Sequence, residues 1–528
     1  MSGAIATTAS LDGTSHRGSD GSAARPTEAV LCDVCGTLLS RLGIVDYASE
    51  PPGERYSEEQ FATRLGCSSC PGLAYTLDLL KAAYGTVENI RIYLQWDGDG
   101  DISALCITGH VPGQYQEQSW VPLPLGADLN ATGMETSLGR VWNPSLVDAD
   151  LLRQWLTNCA QNHGAECRQP VMPRPTHRML LVDTRRYCLV DSCGMEEYAA
   201  LSYVWGTSVF LKTTVSNVES LRREQSLLRG GDSDYQLAAT VKDAIRLAAA
   251  IGINYIWVDC LCIVQDDTQT INIHLKSMAA IYANAYVTFV VAAGKDASSG
   301  IPGAPGGSQA RDFPCCTFDT RSGSRFVLSP ATLYWHLSSE WSQRAWTYQE
   351  DFFSTRLLFL GYAATWQCSG YWLQETTRAT MSPSSDARPH LAIEGSTGDQ
   401  GWHRMTAYSF LVAQYNARNL TYDGDVLAAF AGVHEVLQSH FPNGFRYGIP
   451  VVEGDQMASL TWRVSGGARR RVAFVAGTTI NKLPSWSWIG WQGSDEFVDW
   501  FQTKSQKPYC TTAVFPHHKK VNATSSPG

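Results

Sequence analysis

Apolar positions in the middle of the chain switch between two spacings, and the switching predicts a repeated strand–helix order. Residues 198–206 (YAALSYVWG) read as a strand that ends at a glycine turn. Val241, Ala244, Ile245 and Ala248 then recur at helical spacing, with Thr240 and Asp243 as a capping pair at the helix start. Residues 254–260 form a short apolar strand. Leu275, Met278, Ile281 and Tyr282 mark a second helix. Residues 286–293 are apolar on both faces, as in a strand buried within a parallel sheet. Strand, helix, strand, helix, strand implies right-handed crossovers and a parallel α/β sheet. Ligands of such sheets bind at the carboxyl ends of the strands, which brings Trp205, Gly206 and residues 259–267 to the functional edge.

Turn-forming residues divide the rest. Residues 1–28, rich in Ser, Gly, Ala and Thr, read as a disordered leader. A cysteine-containing N-terminal region (29–170) precedes a linker at 171–176 carrying Pro173 and Pro175. The α/β region extends to 361, with a Gly/Pro loop at 300–307. A mixed α+β C-terminal region (362–516) contains a polar loop at 382–400 and leads into a disordered tail, 517–528. No repeat is present. Near the C-terminus, Trp486, Trp488 and Trp491 alternate imperfectly, which suggests a strand with one buried face.

Composition narrows the function. Hydrophobic residues are 44% and charged residues 17%, enough apolar surface for a sizeable core. A net charge of -9 excludes a general nucleic-acid binder, which needs a basic face against phosphates. The basic cluster Arg469, Arg470 and Arg471 reads as a solvated turn after Gly466 and Gly467. No apolar run approaches the ~20 residues that span a bilayer, and no secretory pattern opens the chain. The expected location is the cytoplasm, and the sequons at Asn130, Asn419 and Asn522 carry no weight.

Fifteen cysteines in such a chain are thiols or metal ligands before they are disulfides. Cys32-x-x-Cys35 and Cys67-x-x-Cys70 can each grip one metal from a tight turn, and together complete a tetrahedral thiolate site for structural zinc. Cys159, His163 and Cys167 repeat every fourth residue. On one continuous helix they are too far apart to share a metal, so packing is their expected role.

Several blocks, taken in order, resemble the fungal heterokaryon-incompatibility (HET) domain. They are residues 198–206, the helix 237–245 running into 251–267 (IGINYIWVDCLCIVQDD), 278–285 (MAAIYANA), 341–350 (WSQRAWTYQE) and, downstream, 484–491 (PSWSWIGW). A weaker match covers 415–433. The resemblance implies a TIR/flavodoxin-like central domain and a part in non-self recognition and programmed cell death. It also implies action through protein partners or self-association. HET domains have been likened to TIR domains, some of which cleave NAD, so NAD is a possible substrate. Two departures stand out. Ala238 occupies a usual proline position, and Thr270, Ile271 and His274 replace a usual Asp-Trp pair and a glutamate.

On this frame Asp259, Cys262, His274 and Glu350 are the candidate catalytic residues. Cys262 would be the nucleophile if a base lowers its pKa, and His274 a proton shuttle near neutral pH. Trp205, Gly206, Gln265, Asp266, Arg344 and Trp346 are the candidate ligand-binding residues, with the tryptophans as stacking platforms and Arg344 as an anion clamp. Packing roles compete at each position. Arg344 and Glu350 in particular are expected to form a buried ion pair joining the C-terminal region to the sheet. Three functions follow: a death effector acting by assembly, a nucleotide-cleaving enzyme, or a biosynthetic enzyme on a HET scaffold.

Overall fold

The computed structural model describes residues 53–56, 88–96, 102–110, 118–125, 139–229, 236–311, 313, 315–319, 325–330, 339–369, 371–378, 401–451, 462–463, 468–475, 479–493 and 499–500. Both CxxC pairs, the leader 1–28, the loop 382–400 and the tail 517–528 lie outside the described residues.

The N-terminal region supplies β1 (Gly53–Tyr56), β2 (Glu88–Trp96), β3 (Ile102–His110) and β4 (Gln118–Pro124), then helices α1 (Ala149–Asn162) and α2 (Ala165–Arg168). The central region follows with β5 (Leu180–Asp183), β6 (Cys188–Asp191), β7 (Tyr198–Ser202), α3 (Ala239–Ala250), β8 (Tyr255–Trp257), the single turn α4 (Asp259–Cys262), α5 (Thr268–Ala283) and β9 (Val287–Val291). Next come β10 (Cys316–Asp319), β11 (Arg325–Pro330), α6 (Trp346–Phe353), β12 (Arg356–Leu360), β13 (Thr365–Cys368) and β14 (Trp372–Gln374). Helices α7 (Gly401–Asn416) and α8 (Ala431–Leu437) begin the C-terminal region.

The main sheet has the order β14-β13-β12-β9-β7-β8-β5-β6. Its centre is parallel: β12 with β9, β9 with β7, and β7 with β8. Its flanks are antiparallel, through β5 and β6 on one side and β13 and β14 on the other. The expected parallel sheet is therefore a mixed one. The reason lies in the connections: helices return the chain between β7, β8 and β9, whereas the short links at the flanks close only as hairpins. Strands β7 and β9 are buried along their whole length, as two-faced apolar runs require. Each large aliphatic side chain buried here contributes ~1.5–3 kcal/mol.

A second, antiparallel sheet runs β1-β2-β3-β4-β11-β10. Hairpin β10–β11 leaves the central region to pair with β4, in register from Phe326 opposite Pro124 to Pro330 opposite Trp120. The segment 171–176 is docked: the Asn284 side chain donates to the carbonyls of Met172 and Pro173 at 3.1 and 3.2 Å. Helices α7 and α8 build a separate aromatic core with α5 and α6, around Tyr408, Tyr415, Phe430 and Trp488. Among the described residues no helix is long and apolar enough to cross a membrane.

Three local expectations are corrected. Thr240 and Asp243 do not cap α3, whose N-cap is Ala238 without a side-chain bond. Thr240 instead accepts from Gly300 N, and the buried Asp243 carboxylate accepts from Ile301 N and Ser308 N, so the pair clasps the Gly/Pro loop against the helix. The arginine cluster is not a solvated turn. Arg469 forks onto Asp423 at 2.8 Å through both nitrogens, and Arg471 is buried with Nη1 on Asn416 Oδ1 at 2.8 Å. Burial lowers the Arg471 pKa to about 10. The tryptophan block is no strand: Trp488 opens a 3-10 turn (Trp488–Gly490) and fills the core, while Trp486 is exposed.

Candidate functional site

The carboxyl edge of the parallel strands is polar inside an otherwise apolar core. Strand β7 ends at Ser202, and the chain then turns through Trp205 and Gly206. Gly206 has φ +66°, and a Cβ there would stand 2.2 Å from Asp296 Cβ, so only glycine fits this turn. Strand β8 ends at Trp257, and Asp259 begins the turn α4. Its carboxyl accepts from Trp205 Nε1 and from Cys260 N, each at 2.7 Å. Glu350, on α6, accepts from the Ser202 hydroxyl, which itself accepts from Trp341 Nε1 at 2.6 Å. Arg344 Nη1 donates to the Tyr203 carbonyl. Tyr282 of α5 donates to Leu201 O at 3.0 Å and lies against Glu350.

Burial controls the electrostatics. It pushes the Glu350 carboxyl up to about 7, against the opposing pull of Arg344 and the Ser202 bond; nearby Asp259 adds to the rise. Asp259 is likewise raised by burial and held back by Cys260 N, Trp205 and Arg344. The Tyr203 hydroxyl is buried, close enough to Asp259 and Cys260 to be felt electrostatically, yet completes no hydrogen bond. Arg344 thus serves two carboxyls at Coulombic range. The expected direct ion pair with Glu350 is not formed; Arg344 Nη1 donates to the Tyr203 carbonyl instead. Both carboxyls are raised by burial beside one arginine, and Glu350, at about 7, can take up or release a proton near neutral pH.

The other predicted residues divide. Gln265 Nε2 donates to the carbonyls of Asp259 and Ile263, and Asp266 accepts from Val215 N, so both order the loop after α4. Cys262 is packed against the backbone of Ile256 and Val258, and burial pushes its thiol up to about 12, opposite to what a nucleophile needs. His274 pairs with His177 and is not among the hydrogen-bond partners of Asp259 or Glu350. Its Nδ1 meets His177 Nε2 at 3.3 Å, and burial with His177 lowers it to about 4. One face of Trp205 is taken by Lys212, whose Nζ sits 4.4 Å over the ring. Trp346 packs between the two cores. Ser202, Tyr203, Tyr282 and Trp341 were not singled out as site residues, although all four stand in the motif blocks. Hydroxyls and an indole N–H inside apolar runs were the available signal.

A second cluster lies at the sheet's other flank. Cys159, His163, Cys167 and Cys368 are all buried, with their ligand atoms within 4.8 Å of one another. This Cys3His set can hold a metal. His163 Nδ1 is 3.6 Å from Cys167 Sγ and 3.3 Å from Cys368 Sγ. The expectation of mere packing assumed one continuous helix. The helix breaks instead: α1 stops at Asn162, His163 is extended (φ -92°, ψ 154°), and Gly164 starts α2. Cys167 is folded back toward Cys159, and β13 delivers Cys368.

No curated protein and no solved structure matches the chain. A family model does: residues 198–350 match the heterokaryon incompatibility protein (HET) family. The matched span begins with the first residue of β7 and ends on Glu350, so it brackets the acid cluster. The downstream blocks 415–433 and 484–491 fall outside it. This chain carries a HET-family match over its central segment.

Proposed function

We propose that the protein is an effector of a heterokaryon-incompatibility-type response, and that the cluster of Ser202, Asp259, Arg344 and Glu350 is the centre on which its effect depends. One observation carries the reading. Motif blocks far apart in the sequence meet at this cluster: 198–206 gives Ser202 and Trp205, 251–267 gives Asp259, 278–285 gives Tyr282, and 341–350 gives Trp341, Arg344 and Glu350. Packing alone would be served better by apolar residues, because each buried polar group must be compensated.

The topology supports a doubly wound reading. Counting only the parallel strands in chain order, their spatial order is 2-1-3-4, from β8 through β7 and β9 to β12. This is the start of the flavodoxin-like order, whose ligand site lies between strands 1 and 3 at their carboxyl ends. Ser202 ends strand 1 of that count. The effector acts through protein partners or self-association, in the cytoplasm of its host.

Inducible expression in a filamentous host tests the proposal. Wild type should arrest growth, and Glu350→Gln, which keeps the shape but not the charge, should not. Harmless wild-type protein at full expression would refute the effector reading. Cellular NAD measured in the same cultures distinguishes two routes: NAD that falls before growth stops marks turnover at the cluster, and unchanged NAD marks action by assembly.

A further inference from the structure

We infer that Cys159, His163, Cys167 and Cys368 hold one structural zinc ion that clamps the segment before the HET domain to the sheet edge beyond it. The donor set comes first. Three soft thiol ligands and one imidazole match zinc, which binds Cys3His sets tetrahedrally. Zinc–sulfur bonds of about 2.3 Å and zinc–nitrogen bonds of about 2.0 Å set tetrahedral edges of roughly 3.5–3.8 Å. The His163 distances of 3.6 and 3.3 Å to two sulfurs lie near those edges, and all four ligand atoms fall within 4.8 Å of one another. Four closed positions leave none for substrate, so the ion is structural.

The surroundings are those of a thiolate site. Arg356 Nε lies 3.2 Å from Cys159 Sγ, and the arginine is buried, with Nη1 on Tyr286 O at 3.0 Å. Three thiolates and a neutral imidazole around Zn2+ carry a net charge of about -1, which one buried guanidinium balances. The Tyr371 ring covers His163 at a centroid distance of 4.6 Å. Ser369 Oγ donates to Glu166 O at 3.1 Å, tying the β13–β14 turn to α2 beside the cluster. His163 Nε2 is buried without a hydrogen-bond partner, so Nδ1 is the ring nitrogen turned to the sulfurs.

The consequence is architectural. His163 and Cys368 are 205 residues apart, and the span between them contains the whole matched HET segment. Metal binding to a site absent from the unfolded chain is folding energy. Zinc would therefore tie α1–α2 and the β12–β13 hairpin into the same folding unit as the HET domain.

The test uses the full chain with Cys32, Cys35, Cys67 and Cys70 changed to Ser, which removes the other candidate ligands. About one equivalent of zinc per chain should co-purify, and cobalt exchanged into the site should show the intense visible bands of tetrahedral thiolate ligation. Cys368→Ala in this background should lose most of the metal. Because that variant can fail to fold, Cys368→Asp, which keeps an anionic ligand, should retain the metal with weakened cobalt–thiolate absorption. Less than about half an equivalent of zinc in the folded background protein would overturn the site. So would zinc retained at full occupancy in both Cys368→Ala and Cys159→Ala.

Discussion

The Ser202 hydroxyl donates to Glu350 across 148 residues of chain, joining the end of β7 to helix α6. Trp341 donates to the same hydroxyl, so one serine links the sheet to the block that closes the matched segment. Glu350 has little freedom to leave this arrangement, and its ionisation is tied to the fold.

That tie predicts a pH dependence. Burial raises Glu350 from 4.5 in the unfolded chain to about 7 in the folded one. A carboxyl raised by folding favours the folded state most below its unfolded pKa, and that advantage is lost as pH rises through the folded value. Between pH 4.5 and about 7 the group should therefore cost the folded state up to about 3 kcal/mol. Glu350→Gln should be more stable relative to wild type at pH 8 than at pH 5, by denaturant unfolding. An equal difference at both pH values would show that the carboxyl is not held as described.

The opposite sign applies to His274. Its folded pKa is lowered from 6.5 to about 4 by burial and by His177, so its contribution is present above pH 6.5 and lost as pH falls through 4. The loss is up to about 3 kcal/mol. His274→Gln should flatten the acid limb of the stability profile across this window. An unchanged limb would place the acid sensitivity elsewhere.

Arg311 and Glu375 form a fully buried ion pair at 2.6 Å, and Glu375 also accepts from Ala364 N at 3.0 Å. Arg311→Met strands a carboxylate in the interior and should destabilise the protein by about 3–5 kcal/mol. Arg311→Met with Glu375→Leu should recover part of that loss. Chemical unfolding of both variants checks the order, and a double variant weaker than the single one would contradict it.

Gly206 makes a sharper local prediction. Alanine there must adopt a positive φ and clear the 2.2 Å approach to Asp296 Cβ. Gly206→Ala should cost about 1–3 kcal/mol. Because the turn carries Trp205, it should also loosen the bond to Asp259, read as a change in tryptophan emission. A silent substitution would mean the turn adapts.

The central sheet was legible in the sequence because its strands are apolar on both faces and its helices carry a clean period. Strands β7, β8 and β9 fall inside the predicted spans, and helices α3 and α5 contain the predicted helical positions but extend beyond them. The antiparallel flanks were not legible, since short runs such as Leu180–Asp183 say nothing about direction. Asp259, Glu350, Trp205 and Arg344 were identifiable from the motif blocks, but Ser202 and Tyr282 were not: a serine or a tyrosine in an apolar run looks like packing until the fold shows what it touches. The Cys3His cluster was half visible. Gly164 is a helix stop signal that would have separated Cys167 from α1. Cys368, the fourth member, carries no local signal, because only tertiary structure brings it near.

The proposed function makes the acid cluster the working centre of the matched segment. The most direct measurement is growth arrest on induced expression of wild type and Glu350→Gln at matched protein levels, with folding of both verified. Arrest by wild type and growth with Glu350→Gln is the predicted result. Equal arrest by both would contradict it and return the cluster to a purely architectural role.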